Sequence, residues 1–111
     1  MQFNHLHVHT QFSLLDGAAP IDDLYKKAVA DKMRGIAITD HGNMFGAFKF
    51  VAEAGKYNTP DNPNTIKPIV GCEFYLVENR EKRQFTRDER DVRYHQLFLA
   101  KNAEGYRNLV K

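Results

Sequence analysis

Two short runs carry the side chains best suited to chemistry: His-Leu-His-Val-His-Thr at residues 5–10 and Thr-Asp-His-Gly at 39–42. On an extended strand His5, His7 and His9 share one face, while Leu6 and Val8 take the other. Three imidazoles on a short apolar strand are poor packing material. Neutral imidazole nitrogen is, however, a good ligand for zinc, manganese or iron. His7 and His9, about 7 Å apart on a shared face, suit two ligands to one ion. His5 alone reads as a structural or hydrogen-bonded histidine.

Four further donors fall at strand ends or in the loops that follow strands: Asp16, His41, Glu73 and His95. In parallel α/β folds such positions collect at the carboxyl ends of strands. Glu73 interrupts the apolar stretch Ile69–Leu76, where an ionised carboxylate is costly unless paired or bound to metal. Each residue also has a plainer use. Asp16 could brace the turn at Gly17, His41 could brace the helix after it, and Glu73 could pair with a basic side chain from 78–93. Taken together, His7, His9, Asp16, His41, Glu73 and His95 predict a metal cluster. One zinc takes four protein ligands, or three and a water, so this many donors imply two or three ions sharing bridging carboxylates. Clusters of that kind suit phosphoester hydrolysis.

The elements that must hold these donors follow from the pattern. Phe3–Thr10 reads as a first strand and Gln11–Ala19 as a loop. Ile21, Leu24, Tyr25 and Ala28 recur at helical spacing, predicting an amphipathic helix that ends near Met33, with Gly35 as its stop. Ile36–Thr39 is a short apolar run fit for a buried parallel strand, followed by the loop Asp40–Asn43. Met44 to Tyr57 predicts a second helix with Phe48, Val51 and Ala52 inward. The Asn- and Pro-rich segment 58–65 reads as a surface loop, and Ile69–Val77 as a strand entered through Pro68. Residues 78–93 hold eleven charges, six basic and five acidic, and read as a solvated loop or hairpin tip. His95–Ala100 predicts a strand; pairing it antiparallel with 69–77 would bring His95 to the end that carries Glu73. Asn102 can cap a last helix containing Tyr106, Leu109 and Val110.

The predicted class is α/β, built on parallel strands. The 111 residues suffice for one domain with a modest core, and 27% charged residues argue against global disorder. A formal charge of +2 is too small for a protein that coats nucleic acid, so any DNA contact must come from local geometry. Cys72 is the only cysteine, which excludes an internal disulfide and fits a reducing cytosol. No run approaches the roughly 18 apolar residues of a membrane helix, and nothing resembles a signal peptide. The expectation is a cytoplasmic protein. The last helix reaches Lys111 without a closing glycine, so the chain reads as the front of something longer. The edge left there could pair with a neighbouring copy.

Four segments in order, 5–17, 35–46, 66–75 and 94–111, resemble the polymerase-and-histidinol-phosphatase (PHP) domain at the start of bacterial replicative polymerases of the DNA polymerase III alpha type. The stretches Ser-Leu-Leu-Asp-Gly at 13–17, Gly-Asn-Met-Phe-Gly at 42–46 and the Ala-Lys-Asn-Ala-Glu-Gly-Tyr run from 100 carry the resemblance to that branch, as against free-standing PHP phosphatases. The resemblance implies the N-terminal part of a distorted seven-stranded (βα) barrel with a trinuclear metal site. His7 and His9 would hold the first ion, Glu73 would bridge it to a second held by His95, and Asp16 and His41 would serve the third. Further ligands would lie beyond Lys111. It also implies a DNA-directed DNA polymerase using dNTPs and magnesium in a domain outside these residues, with a 3′–5′ exonuclease or its relic in the PHP domain. Implied partners are DNA, a proofreading exonuclease and a sliding clamp. The other readings are a scaffold that docks a separate exonuclease, and a stand-alone phosphatase acting on a substrate such as histidinol phosphate. These 111 residues alone are expected to bind metal weakly and hydrolyse little.

Overall fold

The computed structural model describes residues 3–61 and 65–111. Helix α1 (Ile21–Ala30) is followed by strand β1 (Gly35–His41), helix α2 (Ala47–Tyr57), the hairpin of β2 (Lys67–Leu76) and β3 (Tyr94–Leu99), and helix α3 (Ala103–Val110). The sheet is mixed, in the order β1-β2-β3, with β1 and β2 parallel and β2 and β3 antiparallel. The loop expected over 58–65 lies partly outside the described residues. Its near end is tied by Asn58, whose side chain donates to the Ile66 carbonyl and accepts from the Ile66 N–H, both at 2.7 Å.

The core lies between α1, α2 and one face of β1. It joins Ile21, Tyr25 and Ala28 to Ile36, Ile38, Phe50, Ala54 and Ile66, with Leu24 packed at its margin. Tyr25 stacks between Phe50 and Tyr57 and donates its hydroxyl to the Phe50 carbonyl at 2.8 Å. Burial pushes the Tyr25 hydroxyl above its ordinary pKa, so it stays a donor.

The stop of α1 is not Gly35. The N–H groups of Lys32 and Met33 bond the Val29 and Ala28 carbonyls, and Lys32 takes the left-handed conformation at φ 55°. That is a Schellman cap with lysine where glycine is usual. Lys32→Gly is expected to stabilise the protein by about 0.5–1 kcal/mol, read as a higher denaturation midpoint at unchanged slope.

Two further expectations need correction. Helix α2 buries Ala47, Phe50 and Ala54, while Phe48, Val51 and Ala52 face outward, Phe48 being 86% exposed. Apolar residues occupy both sides of this helix, so its pattern did not define a unique inner face. The segment Phe3–Thr10 runs beside β1 but forms no regular ladder. The His5 and Val8 carbonyls accept from Ala37 N–H and Thr39 N–H. The return bonds are intercepted by side chains: Val8 N–H goes to the Thr39 hydroxyl, and Thr10 N–H to the Asp40 carboxylate.

Candidate metal centre

Glu73 is the hub. It lies on β2, directly beside His41 of β1 and two residues from the position opposite His95 on β3. Partners in parallel register share a face, as do diagonal neighbours two residues apart. The alternation of both strands therefore points all three side chains to one side. Gly71 permits this sheet. A Cβ there would come within 2.5 Å of the Phe98 carbonyl oxygen, so a larger residue would push β3, and His95 with it, away from β2.

Glu73 is 4% exposed, and each of its oxygens meets imidazole nitrogen. Oε2 accepts from His7 Nε2 at 2.8 Å and His9 Nε2 at 2.6 Å, and Oε1 from His95 Nδ1 at 2.5 Å. His41 Nδ1 stands 3.7 Å from Oε2. Asp16 approaches from the loop after residue 10, with Oδ2 at 2.6 Å from His41 Nε2 and 3.7 Å from His9 Nδ1. The six expected residues thus occupy one continuous cluster. His5 stands outside it, exposed, with its ring edge-on to Phe3 at 4.8 Å. Asp40 and His41, expected in a loop, instead end β1, and the turn begins at Gly42 with φ 60°.

Three overlapping triads offer ligand atoms within 4.8 Å of one another: His7–His9–Glu73, His9–Asp16–His41 and His41–Glu73–His95. A tetrahedral cation with bonds of about 2.0–2.1 Å holds its ligands about 3.3 Å apart. The triads bracket that spacing, and small rotamer changes would bring the closest pairs to it. The donor set, imidazole with carboxylate, fits a divalent ion of intermediate softness. These residues could hold metal.

The electrostatics favour an ionised Glu73. Burial raises its pKa, but hydrogen bonds from His7, His9 and His95, with the charge of His41, outweigh that and bring it to about 2. The buried thiol of Cys72, next in the chain, is pushed up by desolvation and remains a small apolar filler.

Three residues were given no positioning role from sequence. Buried Asp40 accepts from Thr10 N–H at 2.5 Å and from the Thr10 hydroxyl at 2.8 Å, fixing the segment that carries His7 and His9. Buried Ser13 donates to Asp16 Oδ1 at 2.8 Å and accepts from His41 N–H at 3.1 Å. The spacing Ser-x-x-Asp at 13–16 is the signal that could have found it. Tyr75 lies 6.4 Å from the His41 ring in parallel orientation and 4.8 Å edge-on from His95.

The surroundings of this cluster have relatives. The PHP domain family matches residues 5–111. DNA polymerase III subunit alpha of Borreliella burgdorferi is 47% identical over 110 residues, which are 99% of this chain and 9% of that protein. The Treponema pallidum and Thermus aquaticus proteins of the same name are each 42% identical, covering 99% and 100% of the chain and again 9% of the relative. The chain therefore spans about a tenth of the length of the curated relatives it matches. Among solved structures, a Bifidobacterium adolescentis protein classed as a metal-dependent phosphoesterase superposes with TM-score 0.64 at 21% identity. That alignment covers 98% of this chain and 32% of the other. At that identity the likeness speaks for the fold. The phosphoesterase-like α/β architecture, the histidine-carboxylate cluster and a family match over nearly the whole sequence agree: this chain belongs to the PHP domain family.

Proposed function

We propose that the chain is the first part of the PHP domain of a bacterial replicative DNA polymerase alpha subunit, and that its histidine-carboxylate cluster is a multinuclear divalent-metal centre for 3′–5′ phosphodiester hydrolysis. The observation that carries this reading is Glu73, a buried carboxylate bonded by His7, His9 and His95 and approached by His41, imidazoles from three separate segments. Identities of 47% and 42% to polymerase alpha subunits, against 21% to the phosphoesterase, favour a polymerase over a free-standing phosphatase. In this reading the remaining strands complete a seven-stranded barrel. Polymerisation of dNTPs with magnesium, and contacts with a proofreading exonuclease and a sliding clamp, belong to the rest of a cytoplasmic protein. No helix among the described residues is long and apolar enough to cross a membrane.

His7, His9 and Glu73 would hold one ion, Glu73 with His95 and His41 a second, and Asp16 with His41 and His9 a third. Zinc, manganese and iron match these donors. Such ions supply Lewis-acid stabilisation to a phosphodiester and lower the pKa of attacking water. The chain's own part is placement. Glu73 stays ionised, Ser13 fixes the orientation of Asp16, and Asp40 anchors the His7–His9 segment.

The test uses the full-length polymerase subunit with a 3′-mismatched primer. His9→Ala and His41→Ala should each lower mismatch removal by about tenfold or more while leaving primer extension intact. Unchanged removal would contradict the nuclease reading. Lost stability with unchanged removal would instead identify the domain as a scaffold.

A further inference from the structure

The charged segment 78–93 is the solvated hairpin tip its composition predicts, exposed throughout, and it also shapes a pocket. With the ends of β2 and β3 it lines an open cleft of about 420 Å³. That lies within the range of about 300–1,000 Å³ typical of small-molecule sites. Three rings line it, those of Tyr75, Phe85 and Tyr94. Four cationic side chains also line it, against two acidic ones. Two of the cations are already engaged: Lys82 pairs with Glu89 at 2.6 Å, and Arg93 pairs with Asp91. Arg80 and Arg90 make no ion pair among the described residues, so two guanidinium groups remain for an anion at this cavity. Two of the rings already face a cation of the chain, the Arg93 guanidinium 5.7 Å from the centre of Tyr75 and Lys82 Nζ 5.2 Å from that of Phe85, so a base stacking there takes the place of these exposed side chains.

Position gives the cavity its meaning. Tyr75 lines it and also touches the metal-ligand cluster, because Tyr75 stands opposite His95 in the β2–β3 ladder and packs against the rings of His95 and His41. A ligand in the cavity therefore lies one ring away from two candidate metal ligands. Rings that stack a base, next to unpaired guanidinium groups that take a phosphate, are the recognition chemistry of a single nucleic-acid strand.

We propose that this cavity is the strand-binding subsite of the cluster: Tyr75, Phe85 and Tyr94 stack a nucleobase near the strand's end, and Arg80 and Arg90 hold its adjoining phosphate. The direction of the strand rests on the phosphoesterase reading above. Binding at the cavity does not.

The test is photo-cross-linking of the intact, full-length protein in chelator, where no hydrolysis occurs. The probe is a short single-stranded oligodeoxynucleotide with 5-iodouracil as its 3′-terminal base, and adducts are mapped by mass spectrometry. Adducts should fall on Tyr75, Phe85 or Tyr94. The double substitution Arg80→Glu, Arg90→Glu should lower their yield about tenfold at 0.1 M salt. Arg83→Glu changes the charge of the same segment at a residue that does not line the cavity, and should leave the yield within about twofold. Adducts confined to other parts of the protein would overturn the proposal, as would an Arg83→Glu loss equal to that of the double variant. A free deoxynucleoside monophosphate that displaces the probe at equal concentration would reassign the cavity to mononucleotides and overturn the strand assignment. Nuclease activity that survives loss of the metal ligands would sink the hydrolytic reading while leaving these adducts in place.

Discussion

Glu73→Gln is expected to weaken zinc or manganese binding by at least about 100-fold, more than the loss of any one imidazole. Glu73 belongs to two of the three triads and contacts His7, His9 and His95 directly. Outer-shell partners of a metal typically contribute 10–100-fold in affinity, and a shared ligand contributes more. Glutamine keeps the volume but removes the charge and offers only one acceptor oxygen. Isothermal titration of chelator-stripped protein checks the loss, and an affinity within tenfold of the native value would contradict it. The same substitution carries a pH signature in metal-free protein. The folded-state pKa is depressed from 4.5 to about 2, so its stabilisation is present above pH 4.5 and is lost as pH falls toward 2. At about 1.4 kcal/mol per pH unit this amounts to about 3–4 kcal/mol. Acid titration of unfolding should show that loss in the native chain and little of it in Glu73→Gln.

Asp40→Ala should cost about 2–4 kcal/mol of stability and also loosen metal binding, although Asp40 is in none of the triads. Its carboxylate is 1% exposed and is the acceptor for both the Thr10 N–H and the Thr10 hydroxyl. Removing it strands two buried donors, at about 1–3 kcal/mol for each unsatisfied group. The segment bearing His7 and His9 is held to β1 by few backbone bonds, so releasing Thr10 frees both imidazoles from Glu73. Asp40→Asn should recover part of the loss, because its carbonyl oxygen can still accept from the Thr10 N–H. Thermal unfolding and amide exchange at Thr10 report the effect. Native-like exchange at Thr10 in Asp40→Ala would show that another contact anchors the segment.

Much of this organisation is legible in the residues. The spacing of Ile21, Leu24, Tyr25 and Ala28 marks the buried face of α1, and the Asn102 side chain accepts from Gly105 N–H at 2.9 Å, as its place before the last helix suggests. The apolar runs at 36–39 and 69–76 become neighbouring parallel strands, and the carboxylate lodged in the second becomes the centre of the cluster. What sequence patterning could not supply was the competition between side chain and backbone. Alternation at 3–10 looks like a ladder strand, yet Thr39 and Asp40 capture the N–H groups that a ladder would use. In α2, apolar residues at 47, 48, 50, 51, 52 and 54 surround most of the helix, so only the packed structure selects Ala47, Phe50 and Ala54. Residues 78–93 show their charge plainly, but that their rings and cations line one cavity beside Tyr75 depends on the hairpin's path.

The central claim is that side chains from four separated segments gather cations around Glu73. Anomalous diffraction from manganese- or zinc-loaded crystals tests it most directly. Peaks are expected bounded by His7, His9 and Glu73, by His41, Glu73 and His95, and by Asp16, His9 and His41, the first two fading in Glu73→Gln. Strong peaks elsewhere, with none within bonding distance of Glu73, would contradict it.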